Sequence, residues 1–148
     1  MKNKVTIRAY QASDNAVLSD IWFRASCRAH AFLGEARLAQ QRRLIEQTYL
    51  PDAETWVALI DGEPVGFIGL LESFIGGLFV DPRHHGAGIG QALVAHALGL
   101  KGELSLQVYA DNHQAVAFYK KLGFVEVSRQ AHDDEGLPFE NIEMHRAR

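Results

Sequence analysis

The sequence predicts a mixed α/β fold, one sheet with helices packed on both faces. Three observations carry this. Short alternating or wholly apolar runs are punctuated by Gly, Pro and Asp, as strands are; longer stretches place apolar residues at helical spacing. The third is their order: one strand, two helices, three strands, a helix, a strand, a helix, two strands. At 148 residues the chain is long enough for one cored domain and too short for two ordinary ones, so a single domain over 1–148 is expected.

From the N-terminus, Val5, Ile7 and Ala9 alternate with Thr6 and Arg8 as a first strand. Ser13 or Asp14 fits a helix N-cap, and Leu18, Ile21, Trp22 and Ala25 share one helical face, extended by Ala29, Phe32 and Leu33 to a stop at Gly34. A second helix runs from Glu35 to about Tyr49 and ends at Pro51-Asp52. Thr55–Ile60 and Val65–Leu71 flank Asp61-Gly62, a tight-turn signal, and so form a hairpin. Glu72-Ser73 makes another turn into a strand over Phe74–Val80, where Gly76-Gly77 suggests a bulge or a close backbone approach. A helix then reaches Leu100 and stops at Lys101-Gly102; Leu104, Leu106 and Val108 alternate as a strand. Asp111-Asn112 caps a helix that ends at Gly123, and strands come next around Phe124–Val127 and Phe139–Met144, with a polar turn from His132 to Gly136 between them.

Composition excludes several functions. The net charge of −3 and the lack of a basic run argue against nucleic acid as the main partner. The single cysteine, Cys27, leaves no internal disulfide and fits a reducing compartment. There is no signal-peptide core and no membrane-length apolar run, so a cytoplasmic protein without a membrane partner is expected.

The chemistry concentrates in Leu78–Gln91. An apolar strand stops at Asp81-Pro82, passes through a glycine-dense turn and becomes a helix at Ala92, Leu93 and Val94. Strand, glycine loop and helix N-terminus together make an anion site, because backbone N–H groups can approach a ligand and the helix end carries partial positive charge. The spacing Gly86-x-Gly88-x-Gly90 is not a dinucleotide fingerprint, since Gln91 holds the last position, and no Lys-Ser or Lys-Thr comes after it to make a Walker loop. A plain strand-to-helix turn is the alternative to a phosphate-bearing ligand. His84-His85 has no accompanying metal motif, and no metal is expected.

Val80-Asp81-Pro82 followed by His85-Gly86-Ala87-Gly88-Ile89-Gly90 resembles the acetyl-CoA signature of the GNAT family of N-acetyltransferases. Asn112 to Phe124 resembles that family's second motif: an Asn, then Ala, then Phe-Tyr, then Leu-Gly-Phe. The resemblance covers essentially the whole chain. It implies a mostly antiparallel sheet of about seven strands with about four helices and a splayed central strand pair. It also implies an acetyl-CoA-dependent N-acetyltransferase whose amine acceptor, a small molecule, peptide or protein, attacks the thioester directly in a ternary complex. The competing reading is a non-catalytic acyl-CoA-binding or regulatory protein on the same fold. Monomer and homodimer both stay open.

The resemblance also assigns roles. The backbone at Leu78, Phe79 and Val80 would pair with the pantetheine arm, and an amide near Leu78 or Phe79 would polarise the carbonyl. Amides of Gly86, Ala87, Gly88, Ile89, Gly90 and Gln91 would hold the pyrophosphate, with Asn112 on the arm. Asn112 reads equally as a helix cap. Tyr119 matches the general acid that stabilises or protonates the departing thiolate; by its neighbours Phe118, Leu122 and Phe124 alone it reads as a core aromatic. Two departures stand out. His85 replaces the family's usual Arg or Gln, which makes its charge pH-dependent. Gln107 stands where some members carry a Glu base, and a neutral amide cannot accept that proton. Glu72 and His30 are then the candidate bases, each also readable as an ordinary surface residue, and water is the third route. The acidic Asp133–Glu135 could draw a cationic amine or simply be solvated, while Arg24, Arg28, His30 and Phe32 hint at a mixed polar and aromatic acceptor pocket.

Overall fold

The structure, a computed structural model, describes residues 5–29, 34–133 and 136–148; His30, Phe32, Leu33, Asp134 and Glu135 lie outside the described residues, and the Arg28 side chain is not described. The strands are β1 (Val5–Ala9), β2 (Glu54–Ile60), β3 (Glu63–Leu71), β4 (Phe74–Val80), β5 (Glu103–Tyr109), β6 (Val125–Gln130) and β7 (Asn141–Ala147). They form one seven-stranded sheet in the order β1-β2-β3-β4-β5-β7-β6. Neighbours are antiparallel except β4 and β5, which run parallel across a helical crossover. The helices are α1 (Asn15–Ala29), α2 (Glu35–Leu44), a single turn α3 (Leu50–Asp52), α4 (Ile89–Lys101) and α5 (His113–Lys121).

The period-2 alternation of the strands feeds two cores. On one face Leu93, Val94, Ala97 and Leu98 of α4 and Tyr119 of α5 pack on Ala58, Ile68, Leu70, Leu104, Leu106 and Met144. On the other, Leu18, Ile21 and Trp22 of α1, Leu38 of α2 and Leu50 pack on Val57, Leu59 and Phe67. Asp61 (φ 53°) and Gly62 (φ 81°) supply the paired positive values that the β2–β3 hairpin turn needs. Among the described residues no helix is long and apolar enough to cross a membrane.

Two local expectations change. Asp14 does not cap α1: it sits in a 3₁₀ turn (Ala12–Asp14), 4% exposed, and takes a bidentate bond from Arg8 at 2.7 and 2.9 Å. A buried carboxylate gains more from a guanidinium than from a helix end, and the Arg8 bond holds its pKa below the usual range. The second helix does not continue regularly to Tyr49. After Leu44 it widens into a π turn, Ile45–Tyr49, closed by the Leu50 N–H to the Ile45 carbonyl, before α3. The extra residue per turn brings Tyr49 partly and Leu50 wholly into the interior.

Two features of β4 open the sheet and fix its end. First, its pairing with β3 steps from Gly69↔Gly77 to Leu70↔Ile75, which leaves Gly76 as a bulge. Its pairing with β5 stops after Phe74↔Ser105 and Ile75↔Leu106, so the two strands splay beyond Ile75. Second, Asp81 anchors the strand's end. It is 2% exposed, its N–H donates to the Val65 carbonyl at 2.8 Å, and its carboxylate takes both arms of Arg24 from α1 at 2.9 and 3.2 Å. Arg83 adds its backbone N–H at 3.0 Å and a guanidinium contact at 2.8 Å. Those donors, Arg83 foremost, hold the Asp81 carboxyl far below the usual carboxylate range.

Asp81→Asn is therefore expected to lower unfolding stability by about 1–3 kcal/mol at pH 7 in denaturant titrations, because it removes the buried charge that accepts from Arg24, Arg83 and the Arg83 amide, although Arg24 keeps Asp20 at 2.9 Å and Arg83 is largely exposed. Since the folded pKa lies below the unfolded one, the contribution is present above about pH 4 and is lost as pH falls below that. The gap between wild type and variant should close in the same titrations repeated at lower pH; a gap that stays constant would remove Asp81 from this role.

Candidate active site

The splay between β4 and β5 opens a cleft of about 990 Å³. One wall is β4 from Phe74 to Val80, the other β5 from Leu106 to Tyr109. On the α5 face it is lined by Asn112, Phe118 and Tyr119, and on the α1 face by Trp22, Ala25 and Gln41. The opening thus passes through the sheet, and both faces reach the unpaired strand edge. Leu78 and Val80 turn their side chains toward the α4 core, while Phe79 packs on Phe67 (5.6 Å) and Trp22 (6.2 Å). Side chains are thereby committed to the cores. The β4 edge that turns away from β3 has no β5 partner beyond Ile75, so its N–H and C=O groups face the cleft.

Residues His84–Gly86 and Gly88–Gln91 close one end of the cleft. Gly86 (φ 83°) and Gly88 (φ 79°) are left-handed, and a Cβ at either would meet nothing within 4 Å. The requirement for glycine there is conformational, and their backbones stand open to a ligand. Gly90 has a different reason: its Cβ would lie 3.1 Å from the Phe118 Cζ, so it lets the first turn of α4 close on α5. The first helical bond runs from Ala92 N to Gly88 O, which puts the amides of Ile89, Gly90 and Gln91 among the unpaired donors of the helix start. Ala87 differs from its glycine neighbours Gly86 and Gly88. Its amide donates to the His84 carbonyl at 3.3 Å, and its side chain does not line the cleft. His85 is exposed on the rim.

Tyr119 is both a core aromatic and a cleft-lining residue. It is 8% exposed, wedged edge-on between Phe118 (5.1 Å) and Phe124 (5.5 Å), and still lines the cleft. Burial pushes its phenol pKa up, so it stays protonated at neutral pH. Asn112 likewise does two things: its carbonyl oxygen caps α5 by accepting from Ala115 N at 3.2 Å, and the residue lines the cleft. Gln107 is exposed on β5 and faces the cleft. Glu72 sits apart, exposed at the β3–β4 turn with φ 56° and outside the cleft lining. His30 lies outside the described residues.

Of the two readings of the acidic turn, Asp133 is 8% exposed rather than solvated; it accepts from the Tyr109 hydroxyl at 3.1 Å and from Leu137 N at 2.9 Å, and it lines the cleft. Sequence reasoning missed other residues of the cleft. Gln41 and Asn141 line it with no motif to announce them. Trp22, expected in the core, is both core and cleft wall.

Residues 21–124 match the model of the acetyltransferase (GNAT) family, a range that holds both the glycine loop and Tyr119. The chain is 41% identical over 136 residues to the peptidyl-lysine N-acetyltransferase YjaB of Salmonella typhimurium, covering 91% of this chain and 93% of that protein. It is 38% identical to the Escherichia coli K12 protein of that name, covering 91% of this chain and 92% of the relative. The solution structure of apo YjaB from E. coli superposes with a TM-score of 0.88 at 36% identity, over 96% of this chain and 97% of that one. A coenzyme A complex of the PaiA N-acetyltransferase of Thermoplasma acidophilum shares the fold at TM-score 0.81 and 19% identity, over 98% and 99% of the two chains. The splayed β4–β5 pair, the glycine loop and these matches agree, and the chain belongs to the acetyltransferase (GNAT) family.

Proposed function

We propose that this acetyltransferase moves the acetyl group of acetyl-CoA to the side-chain amine of a lysine in a protein or peptide, by direct attack in a ternary complex. The observation that carries the mechanism is the cleft through the sheet, which gives donor and acceptor separate approaches to one unpaired strand edge. The acceptor class rests on the relatives named peptidyl-lysine N-acetyltransferase at 41% and 38% identity.

Binding and chemistry fall to different parts of the cleft. The amides of Gly86, Gly88, Ile89, Gly90 and Gln91 take the pyrophosphate at the positive end of α4, with His85 at the rim. The amide of Ala87 is already used within the turn and is left out of this set. The free edge of Leu78, Phe79 and Val80 pairs with the pantetheine arm, Asn112 borders the arm, and a β4 amide polarises the thioester carbonyl. The amine nitrogen then attacks that carbon, the carbon–sulfur bond breaks, and Tyr119 passes its hydroxyl proton to the departing sulfur; the proton that the new amide nitrogen sheds returns through water to the Tyr119 oxygen. The Asp133 carboxylate in the wall favours approach of a cationic side chain. Gln107 cannot accept a proton and Glu72 lies outside the cleft, which leaves water and His30, a residue outside the described ones, as routes for the ammonium proton.

Three measurements check this reading. Tyr119→Phe should bind acetyl-CoA within about threefold of wild type by calorimetry while kcat falls about 100-fold; unchanged kcat would exclude Tyr119 as the acid. Gly88→Ala should weaken acetyl-CoA binding at least about tenfold and cost roughly 1–2 kcal/mol of stability, because alanine resists the left-handed conformation. In a panel of lysine peptides, α-amino peptides and small amines followed by mass spectrometry, acetyl should appear on the lysine Nε. Transfer only to small amines or N-termini would overturn the lysine assignment.

A further inference from the structure

The cleft begins where β4 bulges, and the bulge is occupied from the α1 face. Tyr49, the last residue of the π turn, points its phenol at the sheet and donates to the Gly69 carbonyl at 3.2 Å. A Cβ on Gly69 would lie 2.7 Å from the phenol oxygen, and one on Gly76 would overlap that oxygen outright. A Cβ on Gly77 would still meet it at 3.6 Å. Gly69 and Gly76, in adjacent strands, thus leave a hole that one phenol tip fills, while Gly77 makes room chiefly for the Phe79 ring, 2.8 Å from where its Cβ would lie. Glycine inside a strand costs about 0.5–1 kcal/mol each relative to alanine, and larger apolar residues would fill such space more cheaply. Yet here the hole coincides with the last β4–β5 pair, Ile75↔Leu106.

We propose that Tyr49 is a positioning residue for acetyl transfer: its phenol plugs the hole at Gly69 and Gly76 and holds the β4 bulge in the conformation that aims the free strand edge at the thioester carbonyl. Tyr49 does not itself line the cleft, so it acts through the Gly76-Gly77 backbone, which does. This rests on the acetyl-transfer reading of the cleft. A phenol serving only as packing would make the same contacts but would leave the bound carbonyl unaffected.

The test uses acetyl-CoA labelled with ¹³C at the carbonyl, bound to wild type, Tyr49→Phe and Tyr49→Leu, together with kcat and KM on a lysine peptide. In wild type the bound carbonyl resonance should move downfield of free acetyl-CoA. In Tyr49→Phe part of that shift should be lost and kcat should fall about tenfold, with KM for acetyl-CoA within about threefold. Tyr49→Leu should lose more of both. Gly76→Ala alone should lower Tm, and Tyr49→Leu added to it should restore Tm, since removing the phenol makes room for the methyl. Both Tyr49 variants keeping the wild-type ¹³C shift and kcat while only Tm falls would overturn the proposal, as would failure of the double variant to recover Tm. A wild type that binds no acetyl-CoA would overturn the acetyl-transfer reading itself, whatever the Tm arm gives.

Discussion

A strand in the middle of a sheet must hydrogen-bond on both edges or leave polar backbone groups without partners, and β4 is held between those demands. Its bulge at Gly76 lets it keep β3 along its length while it abandons β5 beyond Ile75. Neither strand unravels, because each retains one complete neighbour: β5 pairs with β7 from Glu103↔Ala147 to Tyr109↔Asn141. The sheet therefore opens locally and stays continuous elsewhere. The freed edge is fixed in place because Leu78, Phe79 and Val80 pack their side chains on the cores on either side. A strand-like ligand arm, as proposed, would complete a ladder that the fold has left half made.

The charge distribution around this edge depends on Asp81. That carboxylate takes the guanidinium groups of Arg24 and Arg83, the arginine nearest the glycine loop in sequence. With Arg83 turned toward Asp81, positive potential at the loop comes mainly from amides and the α4 start. Such donors are fixed by backbone conformation, whereas a long side chain would lose rotamer freedom on binding. The same ion pair ties the end of β4 to α1, the helix that supplies Trp22 to the opposite cleft wall. One buried acid thus registers the two halves of the site.

What the sequence disclosed was local. The strand alternations, the Asp61-Gly62 hairpin, the stop at Gly102 and the Asn112 cap each depend on a few neighbouring residues. Gly76-Gly77 announced a bulge because glycine in a strand has few other uses. What fills the space beside it was illegible. Tyr49 reaches the bulge only because a π turn interrupts the helical period, and nothing in Ile45–Tyr49 marks that turn. The Arg24–Asp81 pair spans 57 residues and is visible only once α1 lies against β4. Asp14 was misread for a related reason: the cap position was plausible locally, but Arg8 on β1 offered a stronger partner. Asp133 looked like part of a solvated acidic turn, although Tyr109 on β5 draws it inward.

Tyr119 joins the two kinds of information. As a core residue it is held edge-on by Phe118 and Phe124, which fixes its ring and directs its oxygen. As a cleft residue it offers a hydroxyl, and the burial that makes it core raises its pKa. A raised pKa keeps the phenol protonated at neutral pH, the form that the proposed acid role needs. In the proposed reaction a thiolate departing beside it would be destabilised by the same burial, and a hydrogen bond between the two would strengthen as the local dielectric falls. Packing and the proposed acid role therefore ask for the same thing at this position: an enclosed aromatic ring on the cleft wall.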